Sequence, residues 1–188
     1  MKTILLSGPP RSGKDTLASV ISEEVSFPIR ERAISEEIRK AAHHLYSYLG
    51  RNPYAETWRF ERTKDQPSAH FFGRTPRECY IAVADMVRAL HGPDYWARLL
   101  VSDMQRFSRD YLTVVTDVGS DAQAEAFCRL GRPLVVSVVR PGTDWDNRLP
   151  VQPDPTRWDH MTYRSTAAIS EIRLWVRKHI LGWVARED

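Results

Sequence analysis

Nine residues near the N-terminus, Gly8-Pro9-Pro10-Arg11-Ser12-Gly13-Lys14-Asp15-Thr16, have the composition of a loop that wraps phosphate. The chemistry needs these types. Glycine lets backbone N–H groups curl around phosphate oxygens, and a helix that follows aims the positive end of its dipole at the same anion. Lys14 adds a point charge suited to the bridge between a β- and a γ-phosphate. The elements on either side agree. Thr3-Ile4-Leu5-Leu6 is a short apolar run that reads as a buried strand. The segment Asp15–Val25 carries Leu17, Val20, Ile21 and Val25 on one helical face. Strand, glycine loop and helix in that order predict a nucleoside triphosphate site. The competing reading, a glycine turn that only caps a helix, does not require the strand.

The position after the lysine, where such loops carry Ser or Thr, is Asp15, and Thr16 stands one place later. Asp15 can serve Mg²⁺ through water or orient an acceptor, and Thr16 can supply the hydroxyl a metal site expects. Two later apolar runs read as central strands, Tyr111–Thr116 ending at Asp117 and Leu134–Val139 ending at Arg140-Pro141-Gly142, with about ten helical residues between them. In a parallel sheet, ligands sit at the carboxyl ends of strands, which groups the loop, Asp117 and Arg140 around one crevice. Asp117 then has the place of an acid that holds Mg²⁺ through water; the alternative is an aspartate that caps the following helix.

The remaining sequence alternates helix and strand signals without repeats, which predicts an α/β fold of three layers around a central, mainly parallel sheet. A helix is predicted from Ser35 through Ile38, Ala41, Ala42, Leu45 and Leu49 to Gly50. Thr75-Pro76-Arg77-Glu78 is a capping box with proline in the first helical position, leading into Tyr80, Val83, Ala84, Val87 and Leu90. Asp94 starts another helix through Leu99, Leu100, Met104 and Phe107. At the C-terminus, Ile169, Ile172, Val176, Ile180, Trp183 and Val184 keep helical spacing, read as a docking helix and a possible homodimer contact.

A length of 188 residues with 42% hydrophobic content suits one domain with one core. Cys79 and Cys128 lack metal-ligand spacing and read as packing residues of a reduced, cytoplasmic protein. His43-His44 and Asp159-His160 lack partners at zinc spacing, and no window reaches membrane-spanning length. The formal charge is only +3, yet between Arg51 and Arg77 six basic residues face three acidic ones. Tyr54, Trp58, Phe60, Phe71 and Phe72 are interleaved with them, so about 51–75 reads as an inserted flap. Its aromatics either stack on bases or pack against the body of the protein.

In order and in combination, these residues resemble the bacteriophage deoxynucleoside monophosphate kinases. The resemblance rests on Arg11-Ser12-Gly13-Lys14-Asp15-Thr16, Arg77 at the head of a helix, Asp94-Tyr95-Trp96, the strand ending in Asp117, and Val138-Val139-Arg140-Pro141-Gly142. It spans about residues 1–142, and the aspartate after the lysine is shared with few relatives, phosphomevalonate kinase among them. The resemblance implies ATP and Mg²⁺, with Lys14 and the loop amides from Gly8 to Thr16 on the triphosphate. Thr16, Asp15 and Asp117 would serve the metal, and Arg140 would lie near the adenine or the transferring phosphate. Arg11, Lys14 and Asp15 would be the catalytic residues of a direct in-line transfer, with Arg11 bridging donor and acceptor phosphates. Arg74, Arg77, Asp85, Trp96 and Trp58 would face the nucleotide acceptor.

Two departures fall near the acceptor. Gly119 follows Asp117-Val118 where the family carries an arginine, and Val83-Ala84 stands where it carries Gly-Thr before the acid Asp85. They raise a second reading, a phage kinase of 5-hydroxymethyluracil in DNA, with Trp58 or Phe71-Phe72 as wedges for a flipped base. A third, a non-catalytic nucleotide-binding protein, is opposed by the retention of Lys14, Thr16 and Asp117.

Overall fold

A computed structural model of the protein describes residues 1–48, 64–106, 111–145, 150–165 and 168–186. They form two compact units, Met1–Ile34 with Ala97–Asp188, and Ser35–Trp96.

The first unit is built on five parallel strands: β1 (Thr3–Ser7), β2 (Ile29–Arg32), β3 (Leu112–Val115), β4 (Leu134–Val139) and β5 (Asp159–Arg164), in the spatial order β2-β3-β1-β4-β5. All residues of β1 and β3 are buried, as is β4 up to Val138, because parallel strands at the centre are covered on both faces. Ile4, Leu6, Val114, Leu134, Val136 and Val138 point into one core layer, where they meet helix α1 (Lys14–Glu24) through Leu17, Val20 and Ile21. Leu5, Val115 and Val135, of opposite parity, are equally buried, so the second face is covered too.

The edge strands were not foreseen. β2 reads Ile-Arg-Glu-Arg and β5 reads Asp-His-Met-Thr-Tyr-Arg. Neither has the apolar density of a central strand, and an edge position does not demand it. β5 runs beside β4 over six residues, from Leu134 opposite Asp159 to Val139 opposite Arg164.

The C-terminal segment docks as its periodicity predicts. It contains a helix (Ile169–Trp175), a π turn (Val176–Ile180) and a final helical turn (Leu181–Val184). Ile172, Val176, Ile180 and Trp183 are buried in the core layer beside α1. Arg173 pairs with Glu23 at 2.7 Å and Arg177 with Glu24 at 2.5 Å, both on the last turn of α1. Burial decides the docking: each large apolar side chain contributes about 1.5–3 kcal/mol, whereas an exposed ion pair is screened by water and adds little.

The second unit holds most of α2 (Ile34–Tyr48) and all of α3 (Pro76–His91). The capping box forms as predicted: Glu78 N–H donates to Thr75 Oγ1 at 3.2 Å and Thr75 N–H to Glu78 Oε2 at 2.8 Å. Phe71 is fully buried with Cys79, edge-on to Tyr46 at 4.7 Å and to Tyr80 at 6.0 Å between ring centres. His43 Nε2 and the Tyr80 hydroxyl are hydrogen-bonded at 2.9 Å. Helix α4 (Tyr95–Met104) starts directly after Asp94, and α5 (Asp121–Phe127) with the short turn Cys128–Leu130 fills the ten helical residues expected between β3 and β4. Gly50, Phe107 and residues 49–63 lie outside the described residues.

Candidate phosphate-binding site

The loop leaves β1 at Ser7 and enters α1 at Lys14. Two glycines make this path possible. At Gly8 a Cβ would stand 2.6 Å from the Val138 carbonyl oxygen and 2.7 Å from Ser12 Oγ, so only a residue without a side chain lets the loop lie on β4. Gly13 takes a left-handed backbone at φ 98° as the N-cap of α1 and carries no side-chain cap. The first amides of that helix have no carbonyl of their own helix to bond. A bare backbone, orphan amides and a helix dipole are what an anion of phosphate size requires.

Lys14 folds back over the loop. Its ammonium donates to the carbonyls of Gly8 at 2.8 Å and Pro9 at 2.7 Å, and lies 3.4 Å from Ser12 Oγ. The cation therefore sits among the loop's own acceptors. Ser12 is buried, while Pro10, Arg11, Asp15 and Thr16 are exposed. Arg11 also takes a left-handed backbone, at φ 61°, and its carbonyl accepts from Arg140 Nη1 at 3.3 Å.

Asp117 follows β3 directly, and its Oδ1 accepts the backbone N–H of Ile34 at 2.6 Å, at the first residue of α2. The helix that follows Asp117 in sequence, α5, is capped instead by Ser120, whose hydroxyl accepts from Gln123 N–H at 3.4 Å. Asp117 is thus a helix cap, though of α2 and not of the helix expected. Burial, and next to it the negative charge of Asp15, raises Glu31 at the carboxyl end of β2. Glu31 was missed by sequence reasoning because no apolar pattern marks β2. Among the described residues no group of three or more His, Cys, Asp or Glu stands ready as a metal cluster.

The residues expected at the acceptor belong to the second unit. Arg74 closes the turn before α3, its carbonyl accepting from Ser68 N–H at 2.9 Å. Arg77 is paired with Asp65, and Asp85 with Arg88 at 2.6 Å. Trp96 is 2% exposed, and its indole N–H donates to the Ala84 carbonyl at 3.3 Å, which makes it a packing residue. Trp58 lies outside the described residues. Phe71, considered as a base-stacking wedge, is instead a core residue, and only Phe72 of that pair is exposed, at 59%. Among the described residues no helix is long and apolar enough to cross a membrane.

No protein-family model matches the chain, and no curated protein matches it. Among solved structures, the chain is similar to an unliganded sugar kinase from Janibacter sp. HTCC2649, with a TM-score of 0.51 at 12% identity, over 97% of this chain and 93% of that one. Shikimate kinase from Aquifex aeolicus VF5 aligns with a TM-score of 0.47 at 13% identity, over 98% of this chain and 99% of that one. The strand order, the loop after β1 and the first of these likenesses together give the fold: a three-layer α/β P-loop architecture with a five-stranded parallel sheet.

Proposed function

We propose that the protein is an ATP- and Mg²⁺-dependent phosphotransferase whose acceptor is a deoxynucleoside monophosphate, converted to the diphosphate. The observation that carries the donor half is the Lys14 ammonium set among the carbonyls of a loop whose Gly8 lies too close to β4 for a Cβ. The acceptor rests on the sequence resemblance.

The loop from Gly8 to Thr16, with Lys14, would hold the triphosphate, and Thr16, Asp15 and Asp117 would hold the metal. When bound, ATP supplies the γ-phosphoryl group and Mg²⁺ neutralises charge on it. The chain contributes position and positive charge. Lys14 exchanges neutral carbonyl acceptors for anionic oxygen, a stronger partner in a charge-assisted bond. Asp117, whose Oδ1 holds the amide of Ile34, would face the metal through a bound water. Arg11, exposed on the loop, supplies a mobile cation for the phosphoryl group in flight, worth on the order of a thousandfold in rate. Arg77 and Arg74 would meet the acceptor phosphate, for which Arg77 must leave Asp65.

The test is transfer of labelled γ-phosphate from ATP to a panel of deoxynucleoside monophosphates and, in parallel, to duplex DNA containing 5-hydroxymethyluracil, with Lys14→Ala as blank. Label on a monophosphate supports the proposal. Label on DNA alone replaces the acceptor and keeps the donor site. Label on neither acceptor, with ATP bound normally, leaves a nucleotide-binding protein and ends the transferase reading.

A further inference from the structure

Two residues of the phosphate loop hold a left-handed backbone, Arg11 at φ 61° and Gly13 at φ 98°. Glycine adopts that conformation freely, whereas an arginine keeps it only where its surroundings impose it. Each is met by the residue that follows a neighbouring strand. Arg140, directly after β4, donates from Nη1 to the Arg11 carbonyl at 3.3 Å. Its own carbonyl is tied by Thr143 Oγ1 at 2.8 Å, which fixes the turn it stands on. Ser165, directly after β5, is tied through its N–H to the Val139 carbonyl at 2.7 Å. Its hydroxyl lies against Gly13, where a Cβ would come within 2.8 Å of Ser165 Oγ.

We propose that Arg140 and Ser165 are positioning residues of the phosphate loop, which hold its two left-handed residues in place from the ends of β4 and β5. Arg140 thus acts through Arg11 and does not itself contact the nucleotide. This deepens the phosphotransferase reading and rests on it: the loop presents Arg11 to the phosphoryl group only while the Arg11 backbone keeps its turn. Nothing in the sequence marks Ser165, because β5 is not recognisable there.

A double-mutant cycle on Arg11→Gly and Arg140→Ala separates the two roles of Arg140, since glycine needs no help to hold the left-handed turn. Binding of Mg²⁺-ATP is measured by calorimetry, and urea unfolding is measured without nucleotide. Arg140→Ala is expected to weaken ATP about tenfold in the wild-type background, as for loss of one bond from a charged donor, and by no more than about twofold in Arg11→Gly. Its unfolding midpoint should fall in the first background and not in the second. Equal losses in both backgrounds would show that Arg140 binds the nucleotide directly and overturn the inference. A wild-type protein that binds no ATP refutes the nucleotide reading, while the nucleotide-free unfolding cycle still decides whether Arg140 holds Arg11. For Ser165, Gly13→Ala should cost less stability beside Ser165→Ala than alone; an equal cost removes Ser165 from the proposal.

Discussion

Gly8→Ala tests the tightest packing in the site. The new methyl would meet the Val138 carbonyl oxygen at 2.6 Å, Ser12 Oγ at 2.7 Å and Val138 Cβ at 3.2 Å. Val138 belongs to β4 and lies opposite Tyr163 of β5, so its carbonyl cannot withdraw without disturbing that ladder. Ser12 is itself fully buried, which leaves its hydroxyl no empty space to turn into. Relief must come from the loop, and overpacking of this kind costs about 1–3 kcal/mol. For a chain of this size that is a fall in Tm of roughly 2–12 °C. Gly142→Ala is the control: its φ of 76° is left-handed, but a Cβ there meets nothing within 4 Å. It should lose only the cost of the conformation, about 1 kcal/mol. Thermal unfolding of both variants, with and without Mg²⁺-ATP, reads the two effects apart, since a displaced loop also loses the stabilisation that ligand gives the wild type. A Gly8→Ala protein that melts with the wild type and is stabilised equally by ATP would refute the account of the loop as a backbone pressed onto β4.

Three further outcomes are expected. Lys14→Ala abolishes phosphoryl transfer while the urea midpoint stays near wild type, because the bonds its ammonium makes to Gly8 and Pro9 are only partly buried; full activity would sink the mechanism. Thr75→Ala removes the capping box of α3 and should cost about 1 kcal/mol in urea unfolding, and an unchanged midpoint would show that the cap contributes nothing. Burial lowers His160 from its ordinary 6.5, so the folded state prefers the neutral ring; stability is full above about pH 6.5 and falls as pH drops through that value. His160→Gln should flatten this part of the pH profile, and a slope identical to wild type would exclude the histidine as its source.

The central strands, the loop after β1 and the helix that follows it were legible because their signals are local. In β1, β3 and β4 an unbroken apolar run marks a strand buried on both faces, and the loop glycines stand in sequence beside the helix they serve. The capping box is local in the same sense, four consecutive residues that satisfy one another. β2 and β5 failed to register for a physical reason. An edge strand is paired along one side only, so Arg30, Glu31 and Arg32, or His160 and Thr162, do not disqualify it. The partner of Asp117 was beyond any pattern, for Ile34 lies 83 residues earlier and meets it only through the parallel register of β2 and β3.

That same register explains why one carboxylate can serve two elements. β2 and β3 run side by side, with Arg32 opposite Val115, and leave the sheet at the same end. Thr116 N–H then donates back to the Arg32 carbonyl at 3.0 Å, and Val118 N–H to the Leu6 carbonyl at 3.1 Å. Asp117, between them, is pinned on both sides at the end of β3. From there Oδ1 reaches the amide of Ile34, which needs an acceptor as the first residue of α2. The chain that enters α2 is therefore fastened to the strand end beside which the phosphate loop begins. An acid held by flanking backbone bonds and by its role as a cap has little rotational freedom left to lose, so recruiting it to a metal-bound water, as the proposed function requires, would cost less entropy than recruiting a free side chain.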